Sequence, residues 1–331
     1  MSKIKFTFKK ILSIFILLSC AFCSFATSAV YNGEDYSLKV NYNDILVPGD
    51  AVFVRLNFQY NKNHKKNKTE QEKYAVLQLY QNKKLLDKSV FYNLGKAGKK
   101  SSQTEFLTGI PLSTWLGNGE YTLKVVFAVD DKTSEFDLPV TFSNREFFSE
   151  TIELNETNTA IKTDTSPERV AQIDKLNNIL GTIMPQDVFS TKPFEAPNPS
   201  TRYTSYFGDR RVYAYSNGKS STSLHYGNDY GIPTGSEVRA CQEGKVVLAE
   251  NRVSTGWSIV IEHLPGLYSL YYHLDSMNVK EGDMVKLGDL IGKSGCTGLA
   301  TGPHLHWEVR LNMCAVRPEF FFSDFTFSEY N

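Results

Sequence analysis

From Leu305 to Leu311 the chain alternates without a break: Leu305, Trp307, Val309 and Leu311 fall on one side, and His306, Glu308 and Arg310 on the other, with His304 just ahead. A period of two belongs to a β-strand, whose successive side chains point to opposite faces. The pattern predicts a strand with its apolar face in a core and its polar face open. An apolar run from Leu267 through Tyr271-Tyr272-His273-Leu274 reads as a second strand. Upstream, Ala51 to Phe58, Tyr74 to Tyr80, Leu85 to Leu94, Tyr121 to Val129 and Ser134 to Phe142 are short alternating or β-branched runs between turn-rich pieces. That spacing predicts a β-sandwich. It is similar to an immunoglobulin-like domain by strand count alone, since no cysteine lies there to join the sheets.

One segment has a helical period. Ser166 is placed to cap it, Pro167 to occupy its first position, and Ile173, Leu176, Leu180 and Ile183 to share one face. Pro193 to Pro199 then reads as extended. The chain is therefore expected to be mainly β, with a targeting segment over 1–29, a sandwich over 30–150, a linker with one amphipathic helix over 151–200 and a second β domain over 201–331. The linker is read as packing the domains together rather than lying over a groove.

The first thirty residues set four lysines before the apolar run Ile11 to Leu18 and end near Ala26 to Ala29, which is the pattern of a secretory signal and implies export. Leu17-Leu18-Ser19-Cys20 loosely resembles a lipobox, so membrane attachment is expected only if Cys20 is lipidated; cleavage near Ala26 to Ala29 is the adopted reading. The whole chain has 36 basic and 36 acidic residues, and without those four lysines 32 face 36, a balance of −4. A nucleic-acid partner is excluded on that ground. Five lysines between Asn61 and Lys73 read as a solvated hairpin tip. Beyond the signal only Cys241, Cys296 and Cys314 remain, allowing at most one disulfide.

Four of the six histidines, His225, His273, His304 and His306, fall within 82 positions in three short motifs. His304 and His306 flank one strand residue and share a face. His225-Tyr226-Gly227-Asn228-Asp229 adds a histidine and a carboxylate beside a glycine that lets the backbone bend. A catalytic zinc site uses three nitrogen or oxygen ligands and keeps a fourth position open. His225, Asp229 and one of His304 or His306 make such a set, leaving the other histidine for proton transfer. His263 fits no motif and reads as structural, and His64 as solvated. Gly292-Lys293-Ser294 is spaced wrongly for a phosphate loop; the glycine-rich run 288–302 reads instead as a mobile wall of a substrate groove.

From about Tyr203 to Phe320 the chain resembles the lysostaphin-type, or LytM-like, zinc metallopeptidases of the duplicated hybrid motif fold, which cut peptide cross-bridges of bacterial peptidoglycan. The matching pieces run in order: Thr204 to Arg210, His225 to Asp229, Gly235 to Ala240 with Gly244-Lys245-Val246, Tyr272-His273-Leu274, Gly282 to Val285, Gly288 to Gly292, and Gly295 to Gly298 continuing to Thr301 to His306. Departures are an insertion-like stretch from Tyr213 to Ser223 and Cys296 where serine or asparagine is common.

The resemblance implies one Zn²⁺ held by His225, Asp229 and His306, with His304 as proton carrier and His273 steadying the oxyanion. Glu308 is read as orienting His306. A single carboxylate against a divalent ion leaves the site net positive. The expected protein is a monomeric, exported metalloendopeptidase with a peptidoglycan peptide as substrate. A wall-binding or division-regulating module without activity, and a secreted peptidase acting on other proteins, are the alternatives.

Overall fold

The computed structural model describes residues 26–61, 73–96, 103–129 and 132–328. Cys20, His64 and most of the lysine-rich loop lie outside them. The N-terminal domain is built from two antiparallel sheets. One has the strand order Ala26–Asn32, Tyr36–Asn43, Ala51–Tyr60, Thr104–Pro111, Tyr92–Lys96, and the other Lys132–Leu138, Tyr121–Val129, Tyr74–Gln81, Lys84–Val90. Leu38, Val40, Leu56 and Phe58 from the first sheet meet Leu77, Leu123, Val125 and Phe127 from the second in one core. In Tyr121–Val129 every second residue is buried, as a half-buried strand requires.

Two boundaries differ from expectation. The run Leu85 to Leu94 is two strands in different sheets, because the chain crosses the sandwich at buried Phe91 while Val90 stays 53% exposed. The edge strand begins at Ala26, inside the stretch assigned to the signal.

The linker holds two helices where one was expected. Helix α1 (Glu156–Thr163) is capped by Asn155, whose side chain accepts from the Asn158 N–H at 2.8 Å. Helix α2 (Pro167–Gly181) starts as predicted, with Ser166 Oγ accepting from the Arg169 N–H. Its predicted face is corrected. Ile173 is 41% and Ile183 49% exposed. The buried stripe is Leu176, Ile179 and Leu180, packed on Leu248, Val260, Tyr268 and Leu270.

The C-terminal domain is a mostly antiparallel ten-stranded sheet whose main path runs Tyr203–Ser205, Gly227–Tyr230, Leu305–Leu311, Leu267–Met277, Gly256–Leu264, Gly244–Arg252, Met284–Val285. As the alternation demands, Leu305, Trp307, Val309 and Leu311 are buried together in the main core. A smaller sheet precedes it. The strand Ser149–Glu153 pairs in parallel with Arg210–Ala214, which pairs with Ser220–Leu224. The insertion-like stretch is thus the hairpin that couples the linker to the C-terminal domain.

The two domains share an interior. Phe53 and Leu107 of the sandwich belong to the same core as Trp307 and Phe321. The Phe53 ring lies 4.9 Å from that of Phe325, edge to face. Asp50 is held by Arg317 at 2.7 Å, and Arg55 donates to the Thr326 carbonyl at 3.0 Å. Among the described residues no helix is long and apolar enough to cross a membrane.

Candidate metal centre

Strand pairing brings the site together. Asp229 stands directly opposite His306 in the antiparallel register of Gly227–Tyr230 with Leu305–Leu311. Gly227 permits this approach: a Cβ there would overlap the Trp307 carbonyl, so close strand packing, rather than the expected bend, calls for glycine. His225 follows the hairpin strand Ser220–Leu224, and its ring reaches the same point. Asp229 Oδ1 lies 2.7 Å from His306 Nδ1 and 3.0 Å from His225 Nε2, and the two ring nitrogens are 3.0 Å apart.

The opposite nitrogen of each ring is also engaged. His225 Nδ1 donates to the Tyr206 carbonyl at 2.8 Å, and His306 Nε2 to Glu308 at 2.9 Å. Each histidine therefore turns a fixed nitrogen inward, as ligating histidines do. Glu308 meets its expected place, and its other oxygen is held by Arg310 Nε at 2.7 Å. The polar face of this strand is not open, however. Glu308 is 4% and His306 7% exposed, covered in part by Tyr272, whose ring stacks on that of His306.

Asp229 has a partner with no signal in the sequence. Its Oδ2 accepts from Arg211 Nη2 at 2.8 Å, and Arg211 Nε donates to Glu150 at 2.7 Å. Arg211 becomes a neighbour only through the hairpin, and Glu150 only through the parallel linker strand.

The two remaining histidines line the same cleft, about 310 Å³ in volume. His304 Nδ1 donates to the Gly302 carbonyl at 2.8 Å, and its Nε2 lies 3.7 Å from Asp229 Oδ1. His273 has φ +59, in the left-handed region that a residue with a Cβ enters at a cost. It is held there by its N–H on the Thr255 carbonyl and its Nδ1 on the Thr297 carbonyl, at 2.8 and 2.7 Å. Its ring centre is 4.8 Å from that of His304. The glycine-rich run does wall the cleft, through 299–301, and its backbone is tied to the sheet by Leu299 N–H on the Ser254 carbonyl. His263 is fully buried between the Glu243 carbonyl and Ser269, a structural role. Cys241, Cys296 and Cys314 are free thiols.

Charge in the cluster is settled by partners rather than by solvent. Burial opposes ionisation of Asp229, but His225 and His306 hold it well below the usual carboxylate range. Burial likewise opposes charge on Glu308, yet Arg310 and His306 bring it down to about 2. Against burial, Asp229 and Glu308 raise His306 to about 9, whereas His273, buried beside His304 and His306, falls to about 3. Two imidazole nitrogens and one carboxylate oxygen facing each other at 3.0 Å or less, each backed by a second hydrogen bond, form a donor set that fits a divalent ion such as Zn²⁺.

Residues 223–318 match Peptidase family M23. This segment is 41% identical over 95 residues to the DD-carboxypeptidase/endopeptidase Mpg of Neisseria meningitidis, covering 29% of this chain and 22% of that protein. It is 42% identical over 90 residues to the glycyl-glycine endopeptidase ALE-1 of Staphylococcus capitis, covering 27% and 25%. The chain thus spans about a quarter or less of these relatives. A solved structure of a Pseudomonas aeruginosa protein ascribed to the M23 peptidases aligns with 84% of this chain and 95% of its own, with a TM-score of 0.51 and 22% identity. That last likeness is one of fold. The C-terminal part of the chain is an M23 peptidase domain, as its resemblance to the lysostaphin-type enzymes implies.

Proposed function

We propose that this protein is a zinc-dependent endopeptidase that hydrolyses peptide cross-links of bacterial peptidoglycan. The observation that carries the reading is the convergence of His225, Asp229 and His306 on one point, with His304 and His273 beside it in one cleft. The naming of relatives as peptidoglycan or glycyl-glycine endopeptidases supports the substrate.

A Zn²⁺ ion bound by those three residues would polarise the scissile carbonyl and acidify a water at neutral pH. The protein's own groups do the rest. His304 donates from Nδ1 to Gly302, so the lone pair of Nε2 faces the cleft and is free to accept a proton. From Nε2 the proton would pass to the leaving amine. His273 has its Nδ1–H on Thr297, so it donates at Nε2 only as imidazolium. Burial keeps this ring neutral, so His273 would steady the oxyanion on taking up a proton that the attacking water releases. Glu308 and Arg211 orient His306 and Asp229.

The remaining parts of the reading are export by the N-terminal segment, an immunoglobulin-like assignment for the sandwich, and a monomeric protein. Purified protein incubated with isolated sacculi tests the activity. Loss of cross-linked dimers that a chelator abolishes is the expected result; sacculi left intact at every metal content would refute it.

A further inference from the structure

The cleft holds a cation that the proposed chemistry does not use. Lys162, in the last turn of α1, lines it together with the metal-binding cluster and is half-buried. Its ammonium sits 4.1 Å from the centre of the Tyr213 ring. Its charged neighbours are two more cations, Arg169 and Arg211. Arg211 is already committed to Glu150 and Asp229, and Arg310 to Glu308. Among the described residues, no carboxylate is left within ion-pair distance of Lys162.

This is not a lysine swinging in solvent. Helix α1 is pinned to both walls of the cleft: Asn158 Nδ2 donates to the Ala300 carbonyl at 3.3 Å, and Thr159 Oγ1 accepts from the Ser216 N–H at 3.1 Å. Burial and the two arginines push the Lys162 pKa down, the mark of an ammonium that is desolvated without a matching anion. The Tyr213 ring offsets only part of that cost. A carboxylate arriving with the substrate would supply the missing charge-assisted hydrogen bond.

We propose that Lys162 receives the free α-carboxylate of the residue on the leaving side of the scissile bond. The inference rests on the peptidase reading above and narrows its substrate class. The preferred bond is a cross-link whose released amine shares its carbon with a free carboxylate, as in a D-alanyl link to the D-centre of a diaminopimelate side chain, which a D-alanyl-D-alanine terminus imitates. A glycyl-glycine bridge has no charge at that position. The chain is thereby assigned the bond preference named for Mpg rather than that named for ALE-1.

Binding separates this from the activity itself. Diacetyl-L-lysyl-D-alanyl-D-alanine and its C-terminal amide are titrated into the full, zinc-loaded chain carrying His304→Ala to prevent turnover, by calorimetry. The acid is expected to bind about tenfold more tightly than the amide, the difference to vanish in Lys162→Met, and to return at least in part in Lys162→Arg. Circular dichroism checks that each variant is folded. Equal affinity for acid and amide, a preference that survives Lys162→Met, or no binding of either peptide at millimolar concentration would overturn the assignment. Chelator-sensitive release from sacculi tests the peptidase reading independently of this binding.

Discussion

Arg211 grips the outer oxygen of Asp229 at 2.8 Å, leaving the inner oxygen of that carboxylate to face His225 and His306. Partners of this kind set the orientation and charge of a ligand, and losing one typically weakens metal binding by about 10–100-fold. Arg211→Ala is therefore expected to lower zinc affinity about tenfold or more with the fold intact, as read by chelator competition. An unchanged affinity would mean that Asp229 needs no such support.

Glu308 acts on the other ligand. Glu308→Ala frees His306 Nε2 and strands the Arg310 guanidinium beneath Tyr226, whose ring lies 4.4 Å from it. Zinc affinity should fall by roughly 10–100-fold, and the protein should also lose stability because a buried charge has lost its partner. Glu308→Gln, which can still accept a hydrogen bond, should recover part of both. Equal defects in the two variants would point to charge alone.

His304→Ala should retain zinc and lose turnover, by about 10²–10⁴-fold if proton transfer is its role. His225→Ala should lose both. Metal content and hydrolysis measured on the same preparations decide this, and equal metal loss in the two variants would contradict the division of roles.

Away from the site, Glu262 gives a pH test. Burial, then the neighbouring Asp187, raises its carboxyl from 4.5 to about 7. The folded protein thus binds this proton more tightly than the unfolded chain. Its contribution is full below pH 4.5 and is lost as pH rises through about 7. Glu262→Gln should raise Tm at pH 8, leave it nearly unchanged at pH 4, and flatten the slope between. Parallel melting curves at both pH values would count against the assignment.

Phe53→Ala should cost about 3–5 kcal/mol, since the ring is fully buried between the sandwich and Phe325. Denaturant unfolding followed by signals from each domain should shift as one transition. Separate transitions, with only the sandwich shifted, would show that the domains are not coupled through this contact.

The strand Leu305–Leu311 is legible in the sequence because a period of two is a local property, and the M23 segment because its motifs are local too. The five residues His225, Asp229, His273, His304 and His306 can be named without any fold and do meet in one cleft. What cannot be read depends on pairings distant in sequence. Glu150 reaches Arg211 only through a parallel strand pair 61 residues apart. Helix α1 has a short, polar sequence with no apolar stripe, so nothing in it announces a wall of the cleft. Helical spacing puts Ile173 and Ile183 on the buried face of α2, but the sheet beneath accepts only Leu176, Ile179 and Leu180. The polar face of Leu305–Leu311 reads as open because charge usually seeks water; here Glu308 and His306 satisfy one another out of it.

The interior common to both halves limits how this protein can be dissected. A fragment starting near residue 201 would bare the rings of Phe320, Phe321 and Phe325 that now rest against Phe53, and would forfeit Glu150 behind Arg211. Swapping the M23 segment as a cassette would therefore sacrifice solubility and metal retention together, so chimaeras are better joined ahead of the strand Ala26–Asn32 than within the connecting helices.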